Sequence, residues 1–121
     1  MATLKRNAHA RWNGKLKQGH GMISSESGVL NRQAYSFGTR FEHDPGTNPE
    51  ELLAAAHAAC YSQAFALTLG ENGYDPEYIE THATCVLASQ PEGGFAITEM
   101  HLTVEGAVPN MDAETFKGMA E

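Results

Sequence analysis

Four side chains hold most of the chemistry this sequence could perform: Cys60, Arg40, Glu50 and His57. Cys60 sits in "NPEELLAAAHAACYSQAFALTLG", residues 48 to 70, a neutral run in which it is surrounded by alanines. A thiol attacks as its thiolate, and nearby positive charge favours that form. Between Glu51 and Gly70 there is no Lys or Arg, so any activating cation must come from another part of the fold. Free cysteines are also among the most commonly buried residues. From the residues alone, Cys60 is either small filler in a helix or a nucleophile held by one.

The neighbouring candidates separate more easily. Cys85 lies in an alternating stretch with apolar partners and reads as filler. His57 precedes Cys60 by three positions, on the same helical face. Such a pair could give two metal ligands, but a zinc site needs a third and a fourth, and no second paired motif is present. No metal and no cofactor is therefore expected. Ser62 in "CYSQA" has no glycine elbow around it, and "GHGMIS" lacks the lysine and the following helix of a phosphate loop. Glu50 falls at the second position of an expected helix, where negative charge suits the dipole. Arg40 falls in "AYSFGTRFE", read as a strand from its aromatic and β-favouring residues. Alternation there sets Arg40 on the face opposite Phe37 and Phe41.

The elements that must position these residues are legible in outline. Asn13-Gly14 predicts a two-residue hairpin turn between two short strands. "GHGMISSESGVLNRQ" reads as a strand running into a turn, with the "AYSFGTRFE" strand after it. "HDPGTNPEE" is a helix start, with Asn48 as cap, Pro49 at the first helical position and Glu51 three residues after the cap. Glycine at position 70 or 73 should end that helix. Two alternating strands follow, one with Ile79, Thr81, Ala83, Cys85 and Leu87 on a face, the other with Ala96, Thr98, Met100, Leu102 and Val104. "QPEGG" joins them, and Asp112 caps a final helix.

The chain has 121 residues, enough for one domain, 1–121, with a modest core. A formal net charge of −7 argues against binding nucleic acid or an anionic membrane, both of which rest on Lys and Arg. No apolar segment follows the early positive charge of "MATLKRNAHARW", so no secretory signal is expected. The uncharged run at 52–70 approaches membrane length, but its alanine-rich, partly polar character suits burial in protein. A soluble, cytoplasmic protein with two free thiols is the expectation.

"TNPEELLAAAHAACYS", preceded by "ESGVLN" and "TRFE" and followed by "GFAITEMHLTVEGAVP", resembles the OsmC (osmotically inducible protein C) group of the OsmC/Ohr organic hydroperoxide reductase family. The resemblance runs from about Ala8 to Glu121. It implies an α+β fold, an antiparallel or mixed sheet with a long central helix, in an intertwined homodimer. It also implies a thiol peroxidase of oxidative and osmotic stress defence, reducing organic hydroperoxides and, less well, hydrogen peroxide. By this resemblance Cys60 is the attacking thiol, Arg40 stabilises the thiolate and the developing alkoxide, and Glu50 orients Arg40. An external dithiol closes the cycle.

Ten residues separate Glu50 from Cys60, about 15 Å along a helix. One straight helix cannot bring both to one site, so a shared site needs a second copy of the helix, antiparallel to the first, in a two-fold dimer. The resolving cysteine of the family lies in a Gly-Cys-Pro segment that would fall beyond Glu121, and Cys85 does not match it. The chain is therefore expected to be a shortened form of a longer protein, without the family's last helix and strand segment. Two other readings stand beside the enzyme: a catalytically incomplete binding or structural module, and a binder of ligands in an apolar groove.

Overall fold

The computed structural model describes residues 3–121, and the chain falls into two compact units, the first reaching to Pro49 and the second running from Glu50 to Glu121. The first unit is built on a three-stranded antiparallel sheet. Its strands are β1 (Ala8–Asn13), β2 (His20–Ser25) and β3 (Gln33–Tyr35), in the order β1-β2-β3. The β1–β2 hairpin forms where Asn13-Gly14 indicated, with Asn13 opposite His20. Its connection is longer than a two-residue turn. The chain leaves the ladder at Gly14, which has φ of 93°, and closes through Gly19 N–H on the Lys15 carbonyl at 2.7 Å. Gly14 supplies the left-handed residue that the motif demands, but Lys15 to Gly19 then make a separate turn.

Gly21, in the central strand, lies opposite Trp12 on one side and Tyr35 on the other. The two rings approach over it, with centroids 5.4 Å apart. A Cβ at this position would meet Tyr35 at 2.5 Å and Trp12 at 2.7 Å. A missing side chain thus lets two aromatics pack across the strand.

After β3 the chain departs from the strand expected over "AYSFGTRFE". Tyr35 ends β3, and Phe37–Phe41 form a short helix, α1. Ser36 caps it. Thr39 N–H donates to Ser36 Oγ at 3.2 Å, and Ser36 N–H donates back to Thr39 Oγ1 at 2.9 Å. This reciprocal box satisfies two backbone donors at once and overrides the β preference of Phe and Thr.

The second unit contains most of α2 (Pro49–Glu71), then β4 (Tyr78–Ser89), β5 (Phe95–Ala107) and α3 (Ala113–Ala120). Pro49 opens α2 with Glu50 and Glu51 in the first turn, as the start signal required. The Asn48 side-chain amide donates to the Thr39 carbonyl at 2.9 Å. The far end of α2 is a Schellman close: Tyr74 N–H reaches the Leu69 carbonyl and Gly73 N–H the Gly70 carbonyl, with Gly73 at φ 84°.

β4 and β5 pair antiparallel from Tyr78↔Ala107 to Ser89↔Phe95. A bulge falls where Val86 faces Glu99 and Leu87 faces Ile97, so Thr98 has no opposite residue. That bulge explains the one departure from the expected faces. Ile79, Thr81, Ala83 and Cys85 are half-buried together with Met100, Leu102 and Val104, but beyond the bulge the β5 faces exchange, so Thr98 is exposed, Ile97 stands opposite Leu87 and Ala96 opposite Ala88. Asp112 caps α3 as expected, accepting from Thr115 N–H at 2.7 Å. The core of this unit is thin: among the described residues Phe65 and Leu69 are the only buried large apolar side chains, and Leu69 alone is fully enclosed. Phe65 is held between Tyr61 at 6.0 Å and the edge of the Phe116 ring at 5.3 Å.

Candidate active site

Cys60 lies in the middle of α2 as a free, exposed thiol. One face of α2 is occupied. Tyr61 donates its hydroxyl to the Ala120 carbonyl, Ser62 and Thr81 share a hydroxyl hydrogen bond of 2.7 Å, and Phe65 and Leu69 are buried. Burial raises the Tyr61 phenol above its ordinary range by disfavouring the phenolate. Cys60 belongs to a different face. Leu53, His57, Cys60, Ala64 and Leu67 follow one another at intervals of four, three, four and three residues and are all exposed. That spacing makes a straight apolar stripe. Leu53 is 46% and Leu67 64% exposed, unusual for leucines on a helix this long.

Apolar residues therefore cover two faces of α2. By length and composition the helix could cross a membrane, with a mean hydropathy of 1.3, yet only 11% of that stretch is buried within the chain. The neutral run was expected to be buried in protein; in the single chain most of it is not.

Glu50 sits one residue into α2 and is buried. It is ten positions from Cys60 on an unbroken helix, about 15 Å away along the axis, so α2 by itself does not bring the two together. Cys85 is half-buried in β4, opposite Met100, among apolar neighbours, as filler would be. His57 is exposed on the Cys60 stripe, and no metal-ligand cluster among the described residues includes it.

Arg40 is in the first unit, on α1, which corrects its expected strand position. The helix turns Arg40 toward the two rings that strand alternation would have set on the other face. Its guanidinium carbon lies 5.0 Å from the centre of the Phe41 ring, within cation–π range. Arg40, Phe37 and Phe41 line a common cavity of about 340 Å³ with Trp12, Leu16 and Tyr35. This aromatic chamber beside a permanent cation could hold an apolar molecule with one polar end. Sequence reading missed it because its walls come from β1, β3 and α1. The available signal was Ser36 three residues before Thr39, a variant of the capping box that uses Thr in place of Glu.

A family model described as OsmC-like protein matches residues 42–121. The chain is 51% identical over 119 residues to a protein named Peroxiredoxin OsmC from Escherichia coli K12, covering 98% of this chain and 82% of that one. It is 31% identical over 77 residues to the organic hydroperoxide resistance protein OhrB of Bacillus subtilis 168, covering 64% of this chain and 57% of that one. The crystal structure of that OhrB superposes with a TM-score of 0.63 over 94% of this chain and 80% of its own. An OsmC-like protein of Vibrio cholerae, 16% identical, shares the fold with a TM-score of 0.72 over 98% of this chain and 86% of its own.

Proposed function

We propose, from the premise that this chain belongs to the OsmC-like protein family, how its residues carry out a thiol-based peroxidase reaction on organic hydroperoxides. The observation that carries the reading is Cys60: a free, exposed thiol in mid-helix, in a chain 51% identical to a protein named a peroxiredoxin.

The Cys60 thiolate attacks one peroxide oxygen and the O–O bond breaks. The other oxygen leaves with the bonding pair and takes a proton to become the alcohol, while sulfur is oxidised to a sulfenic acid. A second thiol condenses with that sulfenic acid, releasing water and leaving a disulfide. An external dithiol then supplies the two electrons that restore the thiol. Hydrogen peroxide is the poorer substrate, since it has no apolar group to bury.

Arg40 is assigned to hold the thiolate and the developing alkoxide, work for which a planar and permanent cation is suited. Glu50 is assigned to orient Arg40. Because α2 separates Glu50 from Cys60, the functional form is read as a two-fold homodimer in which one copy supplies Cys60 and the other Glu50. The exposed stripe through Leu53, Cys60 and Leu67 supports this, since a second α2 laid along it would cover an apolar face that water otherwise wets. The protein is read as soluble and cytoplasmic, with its two units acting as one domain.

The test is direct trapping. Rapid mixing with an alkyl hydroperoxide, followed by a sulfenic-acid probe and peptide mapping, should label Cys60 well before Cys85. Label on Cys85 alone, or none, would reject the assignment.

A further inference from the structure

The exposed face of the β4–β5 ribbon carries a group of side chains that the peroxidase reading does not use. Glu80 and His82 are two residues apart on β4 and point to the same side, while Glu105 on β5 stands directly opposite Glu80. One ligand atom from each of the three lies within 4.8 Å of the others. We propose that Glu80, His82 and Glu105 form a site for a divalent transition-metal ion of the zinc class, bridging the two strands on the face turned away from α2.

Three observations converge on this. The first is geometric. Ligands of a four-coordinate zinc ion lie about 3.5 Å from one another, given metal–ligand bonds of about 2.1 Å. His82 Nε2 is already 3.6 Å from Glu80 Oε2, so small side-chain rotations close the set. The second is electrostatic. Like charges directly opposite one another weaken an antiparallel pair, and among the described residues no Lys or Arg is paired with Glu80 or Glu105. Beyond Arg40 the sequence contains one Lys or Arg, Lys117. The ribbon keeps a carboxylate–carboxylate pair whose neighbouring basic group is the His82 imidazole rather than a Lys or Arg, and a bound dication would turn that repulsion into a cross-strand link.

The third is chemical. An imidazole between two carboxylates makes a mixed nitrogen and oxygen set, which suits zinc and its neighbours better than magnesium or calcium, whose sites are built of oxygen. Further along the same face, His101 lies diagonally across from His82 and is hydrogen-bonded to Glu99 at 2.9 Å. It offers a second imidazole within reach of a long side chain. The site is separate from Cys60. Thr81, between Glu80 and His82, points the other way and bonds Ser62 of α2.

The site can be tested on the full chain carrying Cys60→Ser, which removes the exposed thiol as a competing zinc ligand. Calorimetric titration with zinc chloride should show one saturable site, and magnesium chloride at the same concentration none. His82→Ala and Glu105→Gln should each weaken zinc binding at least tenfold, while His57→Ala leaves it unchanged. Zinc should also raise the melting temperature of the parent chain and fail to do so for His82→Ala. Both changed residues are exposed, and matching melting curves in a chelator establish that the variants fold. Zinc affinity that survives His82→Ala, or equal binding of magnesium, overturns the proposal.

Discussion

At the scale of the residue, Cys60 and Arg40 are separable by kinetics. Cys60→Ser should lower turnover of an alkyl hydroperoxide by more than about 10³-fold, since no other exposed thiol on α2 can take over the attack. Arg40→Met should lower kcat/KM by roughly 10²- to 10³-fold, the usual loss when a charge-stabilising donor is removed. Arg40→Lys should recover only part of that, because an ammonium lacks the planar fork. An Arg40→Met enzyme with unchanged kcat/KM would remove Arg40 from the site. Asp112 gives a pH prediction. The Thr115 backbone N–H, with help from the Thr115 side chain, holds its carboxyl below the usual carboxylate range. A carboxyl with a lowered folded-state value stabilises the fold above its unfolded value and loses that contribution as pH falls through the folded one. The α3 signal in circular dichroism should therefore decline below about pH 4, and Asp112→Ala should already show the reduced signal at pH 7.

At the scale of the element, how much each short stretch determined depends on whether its bonds are local. Pro49, Glu50 and Glu51 start α2, and Gly73 ends it, because caps and dipole ends act within one turn. The β4 and β5 faces followed from alternation until the bulge at Thr98, whose extra residue depends on the partner strand. The segment 37–41 was misread because β preference is weak and context-dependent, whereas the paired Ser36–Thr39 hydrogen bonds are specific. Two substitutions probe these packings. Phe65→Ala should cost about 3–5 kcal/mol in urea unfolding, as it empties a ring-sized volume in a thin core. Gly21→Val should destabilise the β1-β2-β3 sheet, because a side chain there meets the Trp12 and Tyr35 rings and the Arg11 carbonyl oxygen at 2.8 Å. Gly28→Ala, where a Cβ meets nothing, isolates the cost of a positive φ alone.

At the scale of the molecule, the exposed stripe of α2 is the surface on which a second copy is proposed to lie. A dimer should show twice the 13.1 kDa chain mass in light scattering. Complementation tests the composite site more sharply. Cys60→Ser and Glu50→Gln chains, each inactive alone, should regain about a quarter of wild-type activity when refolded together in equal amounts. Half of the dimers would then be mixed, and each mixed dimer would hold one intact site. No recovery would place Cys60 and Glu50 within one chain. What the residue order determined by itself was the α2 start at Pro49, a cysteine in mid-helix and, through the blocks on either side of it, the family, because a start signal and a motif block are read directly from residue order. The tertiary structure decided the rest. It moved Arg40 onto a helix, gathered Trp12, Tyr35, Phe37 and Phe41 around it, and left Leu53, Cys60 and Leu67 exposed together. It also set Glu105 against Glu80. The helix under Arg40 follows from the local Ser36–Thr39 box, but the aromatic chamber and the Glu80–Glu105 pair rest on residues distant in the chain, set by register and packing rather than by the identity of any one residue.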